Sequence, residues 1–293
     1  MNKLSFYPQA ENMESYENKS LVAGVIGNPI NQSRSSLIHK YWLKKHNING
    51  HYIPLHLHKH DLNLMFTLVK NETFKGFNVT IPFKTDVLKF ADELTLAAAS
   101  IGAANTIFLR NDGKVIADNT DYIGFLDSLH RNQPNYNFHN ETVLIYGAGG
   151  ASYAVVYAYL KSKVKKIRII NRTLSKAKDL ASKFSSNIDV YDWNDQEDAL
   201  KGTTTIVNTT SLGMLNSKRD KFNLKSLESV NLAIDLIYNP LETSFLHQAK
   251  IGNINIVNGI DMLIYQAIPG FNCWFGVRPV YDKKVKNILE QSI

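Results

Sequence analysis

Lys84 closes the run Gly76-Phe77-Asn78-Val79-Thr80-Ile81-Pro82-Phe83-Lys84, which sets a hydroxyl and an ammonium just past the end of an apolar strand. Asn105 follows in Gly102-Ala103-Ala104-Asn105-Thr106, and then Asp118-Asn119-Thr120-Asp121, a polar cluster with nothing apolar to bury. A lysine beside a carboxylate in a closing cleft can deliver a proton to a ketone and take it back. Taken singly, each is an ordinary loop residue.

A second kind of chemistry lies at Val143-Leu144-Ile145-Tyr146-Gly147-Ala148-Gly149-Gly150-Ala151-Ser152, a strand running into a glycine-rich turn and a helix. Glycines let the backbone turn tightly and approach a pyrophosphate, whose charge then sits at the helix N-terminus. The strict fingerprint has Gly or Ala where Ser152 stands. The next strand ends in Asn171-Arg172-Thr173-Leu174-Ser175-Lys176. An NAD-binding fold usually carries Asp or Glu there for the ribose 2′-hydroxyl. Here Arg172 and Lys176 stand one turn apart, and two cations attract a 2′-phosphate, with Arg offering planar bidentate contacts. The reading favours NADP over NAD.

These residues need strand ends to hold them. In the first third, Leu21–Ile26, Tyr52–Leu57 and Gly76–Ile81 read as strands, and Ser35–Lys45, Leu62–Lys70 and Thr85–Phe90 as helices. Ala103–Leu109 and Lys114–Ala117 read as a hairpin around Asn111-Asp112-Gly113. From Thr142 a second alternation begins. Its strands are Val143–Tyr146, Lys166–Ile170, Thr205–Asn208 and Leu232–Leu236, and its helices Ala151–Lys161 and Lys176–Phe184. Asp261–Trp274 places Leu263, Ala267, Phe271 and Trp274 on one helical face, with a kink expected at Pro269. Strands separated by helices imply an α/β fold with mainly parallel sheets.

Composition excludes several classes. A chain of 293 residues suggests two domains. With 44% hydrophobic and 20% charged residues, 16 Gly and eight Pro, it is neither disordered nor fibrous. The net charge of +7 suits anionic ligands, but no long basic block points to nucleic acid. The single cysteine, Cys273, rules out an internal disulfide and a Cys-based zinc finger and fits a reducing, cytoplasmic setting. Met1–Ser20 is polar and shows no targeting pattern; it reads as a loose tail or an extension of the first strand. Thr142–Leu160 is free of charge for 19 residues, yet Gly147, Gly149 and Gly150 divide it, so no membrane span is expected.

Together these stretches resemble the shikimate dehydrogenase family. The likeness runs from about Leu21 through Gly27-Asn28-Pro29-Ile30, Ser33-Arg34-Ser35, the Asn78–Lys84 run, Gly102–Asn105 and Asp118–Asp121. It continues through the glycine turn, Asn171-Arg172-Thr173, Asn208–Met214, Asp235–Pro240, and Gly259–Leu263 with Gln266-Ala267. The resemblance implies a substrate domain over residues 1–121, completed by a C-terminal helix over 260–293, and a Rossmann-type NADP domain over 122–259, with substrate in the cleft between them. It implies NADPH-dependent, reversible reduction of 3-dehydroshikimate to shikimate. Ser33 and Ser35 would bind the substrate carboxylate, aided by a helix dipole. Lys84 would be the acid/base with Asp121 beside it, positioning either Lys84 or a substrate hydroxyl. Thr80, Asn105, Tyr238 and Gln266 would hold ring hydroxyls. Gly147, Ala148, Gly149, Gly150 and Ala151, with Asn171, Arg172, Thr173 and Lys176, would hold NADP(H), and Leu236 and Gly259 would lie near the nicotinamide.

The chain departs from the family pattern at Ser36, where Pro is common, at Tyr122, where a small residue is common and which would alter the cleft, and at Ala104, a usual Val. A relative acting with NAD on quinate or another cyclic hydroxy acid is the nearer rival. A non-catalytic NADP or nucleic-acid binder is the other, and it leaves Lys84 and Asp121 without purpose. His51, His56, His58 and His60 form a dense patch in which His56 and His58 share a strand face, but no third metal ligand is evident and no metal is expected. Cys273 reads as core, and Tyr153, Tyr157 and Tyr159 as packing or as a contact in a homodimer.

Overall fold

The computed structural model describes residues 20–31, 33–184, 187–214, 222–224 and 226–293. The expectation for Met1–Ser20 therefore lies, but for Ser20, outside the described residues. The chain forms two compact units: one ends at Asp121 and takes back Ile264–Gln291, the other comprises Tyr122–Leu263 with Ser292–Ile293.

The first unit contains β1 (Leu21–Gly27), α1 (Ser35–Lys45), β2 (Gly50–His56), α2 (Leu62–Lys70), β3 (Gly76–Val79), β4 (Glu93–Leu94), α3 (Leu96–Ile101), β5 (Thr106–Leu109) and β6 (Val115–Asp118). The sheet order is β2-β1-β3-β5-β6-β4. β1 pairs in parallel with β2 and β3, and β4 with β6, whereas β5 runs antiparallel to both neighbours. α2 buries Leu62, Met65, Phe66 and Val69, the spacing that makes one helical face. Thr85–Phe90 departs from expectation: the segment is a short 3-10 helix over Asp86–Phe90.

The second unit begins with most of α4 (Asp121–Asn132). It continues through β7 (Thr142–Tyr146), α5 (Gly150–Lys161), β8 (Lys166–Asn171), α6 (Leu174–Phe184), β9 (Ile188–Asp192), α7 (Gln196–Leu200), β10 (Thr205–Asn208), β11 (Leu232–Asp235), α8 (Ser244–Ile251) and β12 (Asn255–Val257). Its sheet runs β12-β11-β10-β7-β8-β9, parallel throughout. The chain moves outward from β7 through β8 to β9, then returns to β7's other side at β10. That reversal is the switch point where open α/β sheets bind ligands, beyond the strands' carboxyl ends.

The last helices are α9 (Ile260–Phe275), which continues through Pro269, and α10 (Lys283–Glu290). The buried face of α9 in the first unit is Ile264, Ala267, Phe271 and Trp274, so Ile264 takes the place expected for Leu263, which is only half-buried. The Trp274 indole donates to the Ile107 carbonyl at 2.9 Å. Gly76 makes that seat possible, since a Cβ there would stand 2.1 Å from the indole nitrogen, and its φ of 153° suits glycine. Among the described residues no helix is long and apolar enough to cross a membrane.

Candidate active site

Strand direction explains how the first unit gathers its polar residues. β1 and β3 are parallel, and β6 is antiparallel to β5, which is antiparallel to β3, so β1, β3 and β6 end on one sheet edge. β5 starts at that edge. Ser33 and Ser35 follow β1, Thr80 and Lys84 follow β3, Asp121 follows β6, and Asn105 precedes β5. The loops after β1 and β3 are tied where Asn28 donates its N–H to the Ile81 carbonyl at 3.0 Å.

Lys84 Nζ donates to Asp121 Oδ2 at 2.6 Å, and both side chains are largely shielded, 26% and 12% exposed. The other Asp121 oxygen accepts from Asn105 Nδ2 at 2.8 Å. The same Asn105 nitrogen reaches Gln266 Oε1 on α9 at 3.2 Å and Thr120 Oγ1 at 3.0 Å. Asn105 Oδ1 accepts from the Thr120 N–H at 2.7 Å. The cluster expected to lack anything to bury is itself buried: Asp118, Asn119 and Thr120 are at most 2% exposed. Hydrogen bonds make that burial tolerable. Thr95 Oγ1 donates to Asp118 Oδ1 at 2.6 Å, and Asn119 Nδ2 donates to the Ala103 carbonyl at 3.0 Å.

Ser35 is buried at the first turn of α1, where its N–H lies 3.4 Å from Ser33 Oγ. Thr80 is half-buried, its backbone N–H on the Ile26 carbonyl at 3.0 Å. Tyr238 lies in the second unit, in the loop after β11.

In the second unit the glycine turn follows β7. Gly147 has φ 110°, and a Cβ on it would stand 2.8 Å from Thr209 Oγ1, so glycine is required there. Gly149 and Gly150 are exposed, and a Cβ on either would meet nothing within 4 Å. The chain leaves open room in front of the N-terminus of α5, as a pyrophosphate needs. Ser152, the departure from the fingerprint, is fully buried and useful: its Oγ accepts from the Gly149 N–H at 3.1 Å and lies 2.7 Å from Thr209 Oγ1. Thr209 in turn donates to the Tyr146 carbonyl at 2.7 Å.

Asn171 ends β8, and Arg172, Thr173 and Lys176 follow it into the start of α6. Asn171 Nδ2 donates to the Thr173 carbonyl at 2.8 Å, and Arg172, Thr173 and Lys176 are exposed. Among the described residues neither cation has an ion-pair partner. Ala148 is buried and Ala151 half-buried in the turn. Leu236 and Gly259 are brought together: a Cβ on Gly259 would stand 2.0 Å from the Leu236 carbonyl oxygen. These features fit NADP(H), with space for phosphates at a helix end and unpaired cations beside it.

The secondary candidates resolve simply. His51, His56, His58 and His60 are exposed, and among the described residues no cluster of three metal-binding side chains forms. Cys273 is half-buried, and burial pushes its thiol well above the ordinary value, opposite to what a nucleophile needs. Tyr159 is core, while Tyr153 packs near Phe184 and Tyr157 meets Tyr122 edge-on at 5.1 Å. Sequence reasoning gave no role to Tyr52, Asn78, Thr106, Thr120 or Thr209. Of these, Asn78, Thr106, Thr120 and Thr209 lie within quoted motifs, and polarity beside apolar strand residues is the available signal.

Two family descriptions match the chain: "Shikimate dehydrogenase substrate binding domain" over residues 25–107 and "Shikimate / quinate 5-dehydrogenase" over residues 129–240. Shikimate dehydrogenase (NADP(+)) of Cereibacter sphaeroides is 43% identical over 265 residues, covering 90% of this chain and 95% of that one. The enzyme of the same name from Ruegeria sp. is 40% identical over 273 residues, covering 93% and 99%. A crystal structure of shikimate 5-dehydrogenase from Thermus thermophilus in complex with NADP(H) and shikimate is 27% identical, with a TM-score of 0.83 and coverage of 93% of this chain and 100% of that one.

Proposed function

This chain belongs to the shikimate dehydrogenase family, and we propose that it catalyses reversible reduction of 3-dehydroshikimate to shikimate with the residues assembled above. NADPH, when bound, supplies the hydride that turns the ketone carbon into a carbinol carbon. Lys84 donates the proton to the developing alkoxide, and its charge stabilises that oxygen before the proton moves. In the reverse direction the neutral amine takes the hydroxyl proton back. The Lys84–Asp121 bond of 2.6 Å carries this reading, because it aims one ammonium without wholly removing it from solvent. Asp121 holds the ammonium, and Asn105 holds Asp121.

Ser33 and Ser35 serve the substrate carboxylate, and Thr80, Asn105, Tyr238 and Gln266 the ring hydroxyls. Gly147 to Ala151 hold the pyrophosphate, Asn171, Arg172, Thr173 and Lys176 the adenosine 2′-phosphate, and Leu236 and Gly259 border the nicotinamide. The substrate unit is the one ending at Asp121 and completed by Ile264–Gln291, and the cofactor unit is Tyr122–Leu263, so the start of α9 goes with the cofactor unit and not, as expected, with the substrate unit. The positive charge serves a carboxylate substrate and a phosphorylated cofactor rather than nucleic acid. The lone cysteine supports a reducing cytoplasmic compartment.

The test is the near-ultraviolet absorbance of NADPH. It should rise when the protein meets shikimate and NADP, and rise far less with quinate or with NAD. No rise with shikimate and NADP, or a faster one with quinate and NAD, overturns the assignment.

A further inference from the structure

Asn105 can offer its carboxamide in two orientations, and only one serves Asp121. With Nδ2 toward Asp121 the amide supports a carboxylate; flipped, it would set oxygen against oxygen. A buried chain starting at Tyr52 on β2 supports the first orientation, together with the Thr120 N–H that Asn105 Oδ1 accepts at 2.7 Å. The Tyr52 phenol donates to Asn78 Oδ1 at 2.6 Å. That fixes Asn78 Nδ2 as donor to the Asn105 carbonyl at 3.0 Å and to Thr106 Oγ1 at 3.2 Å. Thr106 Oγ1, having accepted, donates to Asn105 Oδ1 at 3.1 Å. The oxygen of Asn105 is thereby turned to Thr106 and its nitrogen to Asp121, whose other oxygen carries Lys84.

Each member of the chain is 5% exposed or less, so water does not compete for these bonds. Burial pushes the Tyr52 hydroxyl well above its ordinary value, so it stays protonated, a donor at any assay pH. Its ring is stacked on His39 of α1 at 3.9 Å with planes 10° apart, which fixes where the hydroxyl points.

We propose that Tyr52 is a positioning residue for proton transfer, setting through Asn78 and Thr106 the amide orientation that holds Asp121 and hence Lys84. This rests on the reading of Lys84 and Asp121 as the acid/base pair. A residue acting this way changes the transition state more than substrate binding.

The test compares Tyr52→Phe, Thr106→Val and Thr106→Ser with the wild-type enzyme, each checked for folding by circular dichroism. Tyr52→Phe is expected to lower kcat about tenfold with KM for shikimate within about twofold, and to displace a limb of the kcat pH profile. Thr106→Val cuts the same chain farther along and should reproduce both effects, even if Tyr52→Phe folds poorly. Thr106→Ser keeps the hydroxyl and should restore kcat and the pH limb. Wild-type kcat and pH profile in Tyr52→Phe and Thr106→Val overturn the positioning role. So does a fall in kcat with an unmoved limb and no rescue by Thr106→Ser. If instead Lys84→Ala keeps its kcat, the acid/base reading falls and the positioning role falls with it.

Discussion

The two units meet their ligands with opposite kinds of surface. In the first, the polar groups around Lys84 are bonded to one another before any substrate arrives: Asn105 and Thr120 are 3% exposed or less and each makes several hydrogen bonds. In the second, Gly149, Gly150, Arg172 and Lys176 are exposed, with open space at the glycines and no ion pairs on the cations among the described residues. Under the proposed function, the first arrangement is preorganised for charge that develops during reaction, and the second receives charge the cofactor already carries. Substitutions in the first unit should therefore appear in kcat, and those in the second in cofactor affinity.

The largest effect is expected at Lys84. Replacing it with Ala removes the proton donor and the charge facing the alkoxide, so kcat should fall about 10²- to 10⁴-fold while KM for shikimate changes far less. Steady-state kinetics with both reactants varied checks this. A variant with near-wild-type kcat and a raised KM would make Lys84 a binding residue and erase the contrast between the units.

The next effect concerns stability and tests how dry the first unit is behind its site. His39 is fully buried, and burial pushes its pKa from 6.5 down to about 3, against a smaller opposing pull from Asn78. Below pH 6.5 the unfolded chain takes up a proton here that the folded chain refuses until about pH 3. The unfolded state then binds more protons, so stability is full above pH 6.5 and falls as the pH drops, by about 2 kcal/mol at pH 5. His39→Phe keeps a ring in the stack and cannot titrate. Denaturant midpoints at pH 7.5 and pH 5 should therefore lie closer together in that variant than in the wild type. An unchanged separation would mean that water reaches the ring.

Neither His39 nor Tyr52 stood out in the sequence, and the reason is physical. The helix and strand carrying them, α1 and β2, were legible, α1 because Ile38 and Trp42 stand one turn apart on its buried face. The glycine turn and the cations after β8 were legible because their chemistry is local in sequence. The hub at Asn105 is different: its partner Gln266 lies 161 residues away, and its orientation depends on Asn78, 27 residues upstream. No local pattern encodes which polar residues share a hydrogen bond across a sheet. Ser152 shows the same limit, since as a departure from a fingerprint it looked like a defect, yet it braces the turn against Thr209. Short elements such as β4, of two residues, lack the length to show any period.

The smallest effect, and the one that most sharpens the contrast, is at Arg172. Because the side chain is exposed, water and salt screen it, and its contribution belongs at the low end for a charge-assisted contact. Arg172→Ala should raise KM for NADPH about tenfold, equivalent to about 1.4 kcal/mol, and leave KM for NADH nearly unchanged, since NADH has no 2′-phosphate. The loss should shrink as salt is added, unlike the loss at Lys84, whose partner Asp121 is shielded from solvent. kcat with saturating NADPH should stay close to wild type, because the contact is the same in ground and transition states. Equal losses for the two cofactors would mean that Arg172 shapes the turn after β8 rather than binding a phosphate, and the cofactor half would then be as preorganised as the substrate half.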